Sequence, residues 1–159
     1  MTLRLYNSLS DNKENFVPLR EGQVTLYVCG PTVYSDSHLG HAKTYVSFDV
    51  ILRYLKYRGL KTFYVQNITD VGHLVGDADE GEDKLLKRAK EVEQEPMAVA
   101  ETYTTRHFQA MDQMGIIRPD ICPRATGHIP EQLEAIENLI SAGLAYEING
   151  SVYFDVSQD

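Results

Sequence analysis

Cys29-Gly-Pro-Thr-Val-Tyr-Ser-Asp-Ser-His38-Leu-Gly-His41 is the stretch on which the fold turns. Ahead of it, Val24-Thr-Leu-Tyr-Val28 alternates and is rich in β-branched and aromatic residues, which predicts a buried strand. Behind it, Ala42 to Arg58 carries apolar residues at helical spacing (Ala42, Tyr45, Val46, Leu52, Leu55), and Gly59 suits the stop. Lys61-Thr-Phe-Tyr-Val-Gln66 then reads as a second strand. A strand–loop–helix–strand unit of this kind makes a right-handed crossover between parallel strands. The expected fold class is therefore α/β.

In a parallel pair both carboxyl ends lie on one edge of the sheet, where open α/β sheets bind ligands. That edge gathers Cys29 from the first strand and Asn67-Ile-Thr-Asp70 from the second. The helix entering at His38–His41 aims free backbone N–H groups and its positive end at the same crevice. His38 and His41 are three apart and share one face of that helix start. Gly40 between them removes a side chain where a flat ring would approach the backbone. Two imidazoles in this place suit charge developing on transferring phosphates. On residue pattern alone, a packed thiol and ordinary helix-start histidines are an equal alternative.

Tyr27-Val-Cys-Gly-Pro-Thr-Val-Tyr34, His38-Leu-Gly-His41, Thr44-Tyr-Val46, Phe48-Asp49 and Asn67-Ile-Thr-Asp70 together resemble the start of the cysteinyl-tRNA synthetases, a class I aminoacyl-tRNA synthetase family. The likeness runs from about Leu5 to Asp155 and takes in Arg118-Pro-Asp120, Pro123-Arg-Ala-Thr126 and Val152-Tyr-Phe-Asp-Val156. It implies a partial Rossmann-like nucleotide-binding fold of the class I (HUP) type, with a parallel sheet, a helical segment and a C-terminal β-hairpin. The implied activity is ATP-dependent conversion of cysteine to cysteinyl adenylate, with Mg2+, followed by transfer to tRNA(Cys). His38, Gly40 and His41 match the family's HIGH signature, which binds ATP, and the two histidines take the catalytic role. Gly30 and Thr32 join them in the ATP-binding set. Cys29, Gly30 and Thr69 take the amino-acid-binding role. Cys29 is also implied as one ligand of a zinc ion whose remaining ligands lie outside this chain.

A zinc role is chemically reasonable, because zinc holds thiolates at ~2.3 Å and prefers them to hydroxyls. It also lowers a bound thiol's pKa. A pocket working by size alone separates close analogues only about 10–200-fold, so metal coordination adds discrimination that shape lacks. Two positions depart from the family pattern. Ser35 stands where an acidic residue often follows the tyrosine, with Asp36 next along, and Leu39 replaces the commoner isoleucine, a volume-conserving change.

The chain has 159 residues, 43% hydrophobic and 24% charged, enough for a domain of ordinary size with a real core. Cys29 and Cys122 are its two cysteines, and neither a signal peptide nor a long apolar run is visible, which predicts a reducing cytoplasm and no membrane. A net charge of −8 argues against a broadly basic surface and predicts weak or no tRNA binding by this chain alone.

Elsewhere, Thr2-Leu-Arg-Leu-Tyr6 predicts a short strand and Asn7 to Asn15 a polar turn. After Asp70 many family members pass quickly to an acidic pair and a lysine; here an acidic run intervenes before Lys84. Its carboxylates lack calcium-loop spacing, so 76–83 reads as an exposed loop favouring the positive end of the next helix. Helices are expected over Glu82–Glu93 (Leu85, Leu86 and Ala89 inward) and from Pro96 to about Met114, with Ala98, Glu101, Thr102, Thr105 and Phe108 to Met111 as a mixed stripe. A further helix is expected over Pro130–Ala142, with Leu133, Ile136 and Ile140 on one face and Gly143 closing it. His73 and His128 read as loop histidines, His107 as structural and Cys122 as a small buried hydrophobe. Ala145 to Ile148, Asn149-Gly150 and Ser151 to Phe154 signal a hairpin with a type I′ turn.

No KMSKS-like stretch, second sheet half or anticodon-binding domain is visible, so residues 1–159 are expected to be the amino-terminal part of a longer catalytic domain. A lone Cys29 cannot hold zinc, which needs three or four protein ligands. Low metal content and negligible cysteine-dependent pyrophosphate exchange are expected of this chain. Three other readings stand beside the ligase. They are a related cysteine ligase with an amino-sugar acceptor, a small His-x-Gly-His nucleotidylyltransferase, and a nucleotide-binding chain without turnover.

Overall fold

The computed structural model describes residues 3–71 and 83–158. A first hairpin pairs β1 (Arg4–Asn7) with β2 (Asn12–Asn15). Here the expectation of a polar turn over Asn7–Asn15 is corrected. Only the middle of that stretch turns, with Asp11 at φ 57°, and Asn12–Asn15 returns as a strand despite its polar residues. Both strands lie mostly in solvent, so backbone pairing rather than burial holds them.

The crossover follows. β3 (Gln23–Val28), α1 (Leu39–Tyr57) and β4 (Lys61–Gln66) form the unit predicted, and the strands pair in parallel from Gln23↔Lys61 to Val28↔Gln66. Gly59 lies in the left-handed region (φ +79°) that ends a helix and turns the chain directly into β4. α1 buries Tyr45, Leu52 and Leu55, while Val46 is exposed. β3 is half-buried rather than buried: Val28 faces the core, but Tyr27 is 57% exposed. The alternation in its sequence signals that one-sided burial.

A third parallel lane runs beside β4. The Gln66 N–H donates to the Ile121 carbonyl (3.1 Å), the Ile68 N–H to Pro123 (2.8 Å) and the Ala125 N–H to Ile68 (3.1 Å). Pro119 and Pro123 lack N–H groups and spoil any strand pattern, yet an edge lane tolerates them. The sequence reading passes over this lane for that reason. Asp120 fastens its start by accepting the Tyr64 N–H at 2.7 Å.

α2 (Lys84–Glu91) and α3 (Pro96–Gln113) pack together. One core joins Val33 and Ile68 to Leu85, Ala89, Val99, Ala100 and Tyr103; another joins Val28, Tyr45, Leu52 and Tyr64 to Met111 and Ile116. The predicted faces of both helices need correction. Leu86 is 47% exposed, and α3 buries Val99, Ala100, Tyr103, Thr104, His107 and Met111, leaving Ala98, Glu101, Thr102 and Thr105 outside. The buried stripe advances by threes and fours from Val99, with a threonine and a histidine taking apolar places. Cys122 is half-buried against the first core, as a small hydrophobe would be.

A 3-10 turn (Thr126–His128) leads into α4 (Ile129–Ser141), followed by β5 (Ala145–Ile148) and β6 (Ser151–Phe154). Asn149 and Gly150 have φ 53° and 80°, the double left-handed signature of the expected type I′ turn. α4 buries none of its residues, and Leu133 and Ile140 on its apolar face are 55% and 41% exposed. His128 is exposed, 3.8 Å from Glu131. His73 and 76–82 lie outside the described residues, and no helix among the described residues is long and apolar enough to cross a membrane.

Candidate active site

Cys29 follows the last residue of β3 and Asn67 the last of β4, so the register sets them side by side. Asn67 organises the junction. Its Oδ1 accepts the Gly30 N–H (2.8 Å) and the Tyr27 hydroxyl (2.9 Å), and its Nδ2 donates to Thr69 Oγ1 (3.1 Å). The approach at Gly30 is so close that a Cβ there would lie 1.5 Å from the Asn67 carbonyl oxygen. Pairing then resumes, as the Thr69 N–H donates to Pro31 (3.1 Å) and the Val33 N–H to Thr69 (3.2 Å), with Thr32 opposite Thr69. Cys29, Gly30, Thr32 and Thr69 therefore share one sheet edge.

The helix start sits over that edge. His38 is the N-cap of α1, with Nδ1 accepting the Gly40 N–H at 3.0 Å, and His41 Nδ1 accepts the His38 N–H at 3.1 Å. The two rings lie 4.0 Å apart. This is a capping box made of imidazoles, satisfying two of the helix's orphan donors. Gly40 is required by it, since a Cβ would meet His38 Cε1 at 2.8 Å. His38's own ring makes the close approach to Gly40 in this structure.

The caps have a chemical consequence. A neutral imidazole that accepts through Nδ1 carries its proton on Nε2. Both rings therefore keep an Nε2–H donor that the cap does not use. Burial and the neighbouring His38 hold His41 below the usual histidine pKa, favouring this neutral form. No acidic residue sits in the first turn of α1, so the positive end of the helix is uncompensated there. Neutral donors beside a positive helix end make a place for phosphate oxygens.

Tyr45, in the second turn of α1, ties the two halves together. Its hydroxyl donates to the Cys29 carbonyl (3.3 Å), and burial raises its pKa well above the ordinary value, so the proton stays. Asp70 does not join the crevice. Only 1% exposed, it accepts the Thr126 N–H (3.0 Å) and hydroxyl (2.7 Å), fastening the 3-10 turn. Asp36, beside Ser35, pairs instead with Arg106 at 3.1 Å. The crevice is an open sheet edge: Cys29, His38 and Gly40 are all exposed. A separate groove of about 340 Å³ lies between Tyr34–Ser35 and α2, lined by Lys84, Lys87, Arg88 and Glu91. Among the described residues no group of three or more His, Cys, Asp or Glu is placed to hold a metal ion, so Cys29 stands as a single thiol. The organising role of Asn67 has a sequence signal, an amide at a strand's end level with a glycine on its neighbour, although residue pattern alone assigns it no role.

A parallel crossover whose helix start is turned on the strand ends is the layout of the class I synthetases, and comparison with known proteins agrees. The described fold superposes on a LeuRS from Agrobacterium radiobacter K84, solved as a ternary complex with tRNA and LeuAMS. The TM-score is 0.61 at 19% identity, over 82% of this chain and 16% of that one. Residues 15–159 match the family described as tRNA synthetases class I (C) catalytic domain, and the chain belongs to that family. Among curated relatives, the cysteine–tRNA ligase of Chlorobaculum tepidum is 58% identical over 98% of this chain, and that of Thermus thermophilus 56% identical over 98%. The chain spans about a third of the length of these relatives (33% and 32%).

Proposed function

We propose that this chain forms the part of a cysteine–tRNA ligase that binds ATP and faces the amino acid during adenylation. In that reaction a cysteine carboxylate oxygen attacks the α-phosphorus of ATP. The bond to the β-phosphate breaks and pyrophosphate leaves. A terminal tRNA hydroxyl then attacks the carbonyl, and AMP departs with its electron pair.

One observation carries the reading: the imidazole capping box of α1, which engages both Nδ1 atoms and leaves both Nε2–H groups outside the cap, beside an uncompensated positive helix end. His38 and His41 would donate to phosphate oxygens as negative charge builds on them, with Gly40 keeping the rings close to the backbone. Gly30 and Thr32 would flank the nucleotide, while Cys29 and Thr69 would face the amino acid from the two strand ends. Magnesium would accompany ATP as a phosphate partner. Among the described residues, Cys29 has no partner ligands with which to make a zinc site. The names of the relatives favour tRNA over an amino-sugar acceptor. Two free cysteines fit a reducing cytoplasm.

The test is titration of the chain with ATP, and separately with a cysteinyl-adenylate analogue, followed through the histidine ring signals. His38 and His41 should respond together, ahead of His128. A response confined to other histidines, or none at millimolar ligand, would defeat the assignment.

A further inference from the structure

His107 is absent from the roles derived above. It is 2% exposed on α3, among apolar neighbours. A buried imidazole has two ring nitrogens that need partners. Nδ1 lies 3.0 Å from Ser37 Oγ, while Nε2 is buried with no hydrogen-bond partner among the described residues. A leucine would occupy the space without leaving a polar atom orphaned, so volume alone does not account for the residue.

Its neighbours lead to the site. The His107 ring meets Tyr45 edge to face, with centroids 5.3 Å apart and planes at 73°. Tyr45 lies nearly parallel to His41 (6.3 Å, 9°) and donates to the Cys29 carbonyl. Ser37 is the residue immediately before the N-cap His38. The adjacent Arg106 pairs with Asp36, but that exposed pair contributes little. The buried contact is the one with consequences.

We propose that His107 is a positioning residue for adenylation, holding through Ser37 the backbone that enters His38, and through Tyr45 the ring of His41 and the carbonyl of Cys29. The inference rests on reading the α1 start as the nucleotide site. Burial, with a smaller contribution from His41, takes the His107 pKa down to about 4, so the ring stays neutral near pH 7. The Ser37 contact is thereby kept in one protonation state.

The test uses the 159-residue chain, with ring nitrogens labelled, and the variants Ser37→Ala, His107→Leu and His107→Asn. Asparagine keeps a polar atom near the Nδ1 position; leucine keeps only volume. In Ser37→Ala and His107→Leu, the Gly40 amide should exchange with solvent at least about tenfold faster, because its cap is no longer held. His38 and His41 should also lose their uniform Nε2–H signature. His107→Asn should stay within about twofold of the parent in amide exchange. Unchanged Gly40 exchange and tautomer signals in His107→Leu would overturn the proposal, whatever the melting temperature does. Should that variant not fold, Ser37→Ala decides by the same two measurements. If the parent's histidines ignore ATP, the nucleotide reading fails separately, and the positioning measurements still stand.

Discussion

α1 and α2 begin in opposite ways. Both leave their first N–H groups to a side chain, but α2 is capped by a carboxylate and α1 by two imidazoles. Asp83 accepts the Leu85 and Leu86 N–H groups at 2.8 and 3.0 Å, bringing a full negative charge to the positive end of its helix. His38 and His41 satisfy the same kind of donor without adding charge. The first arrangement stabilises a helix. The second sacrifices some of that stability and leaves a positive, donor-lined surface for an anion. A further difference is attachment, because the loop into α1 is bound to the sheet through Gly30 and Asn67.

The strongest way to break this contrast is Gly30→Ala. The added carbon would lie 1.5 Å from the Asn67 carbonyl oxygen, so the backbone must move. A loss of more than about 3 kcal/mol, or failure to fold, is expected in urea denaturation. An unshifted midpoint would show that the α1 loop is not fastened there.

Acidification should act through the α1 side next. The folded pKa of His107 is near 4, below the ordinary unfolded value of about 6.5. Between those values the unfolded chain takes up a proton that the folded chain refuses, so stability falls as pH falls through this window. Below about pH 4 the loss is complete. From pH 7 to pH 5 the folded state should lose on the order of 2 kcal/mol, measured by denaturant midpoints at each pH. Asp83→Ala should leave that slope alone, whereas His107→Leu should flatten it.

Asp83→Ala itself should cost about 1 kcal/mol, the usual loss for an N-cap. The histidine response to ATP should not change, and a weakened response would couple the two helix starts. The sharpest comparison carries the smallest stability change. His38→Asp puts a carboxylate in place of the imidazole cap, so stability should rise, by no more than about 0.5 kcal/mol. The carboxylate would repel phosphate, and ATP affinity read at His41 should fall at least about tenfold. Equal affinity would show that the charge of the cap is irrelevant.

Local pattern carried much of this fold into view. The bounds of β4, the start of α3 and the type I′ hairpin follow from propensity, proline and Asn-Gly chemistry acting over a few residues. The edge that gathers Cys29, Thr32 and Thr69 follows from parallel pairing alone. What stayed hidden depends on contacts distant in sequence. The Ile121–Ala125 lane is punctuated by proline and defined only by its neighbour β4. The buried stripe of α3 includes Thr104 and His107, polar residues that no hydrophobic count selects. Asp70 looked like a member of the crevice because it follows Thr69, but alternation along the chain sends its carboxylate to Thr126 instead.

The extra lane beside β4 also bears on the order of assembly. β4 finds its first neighbour, β3, about forty residues back, but its other flank is sealed starting with the bond from Tyr64 to Asp120, which spans 56 positions. Closing loops of that length is slow compared with winding α1. During synthesis, the cap histidines should already be wound before the strand beneath them acquires its second neighbour. A ribosome-bound chain ending short of position 120 should therefore protect α1 amides while β4 still exchanges along its open side.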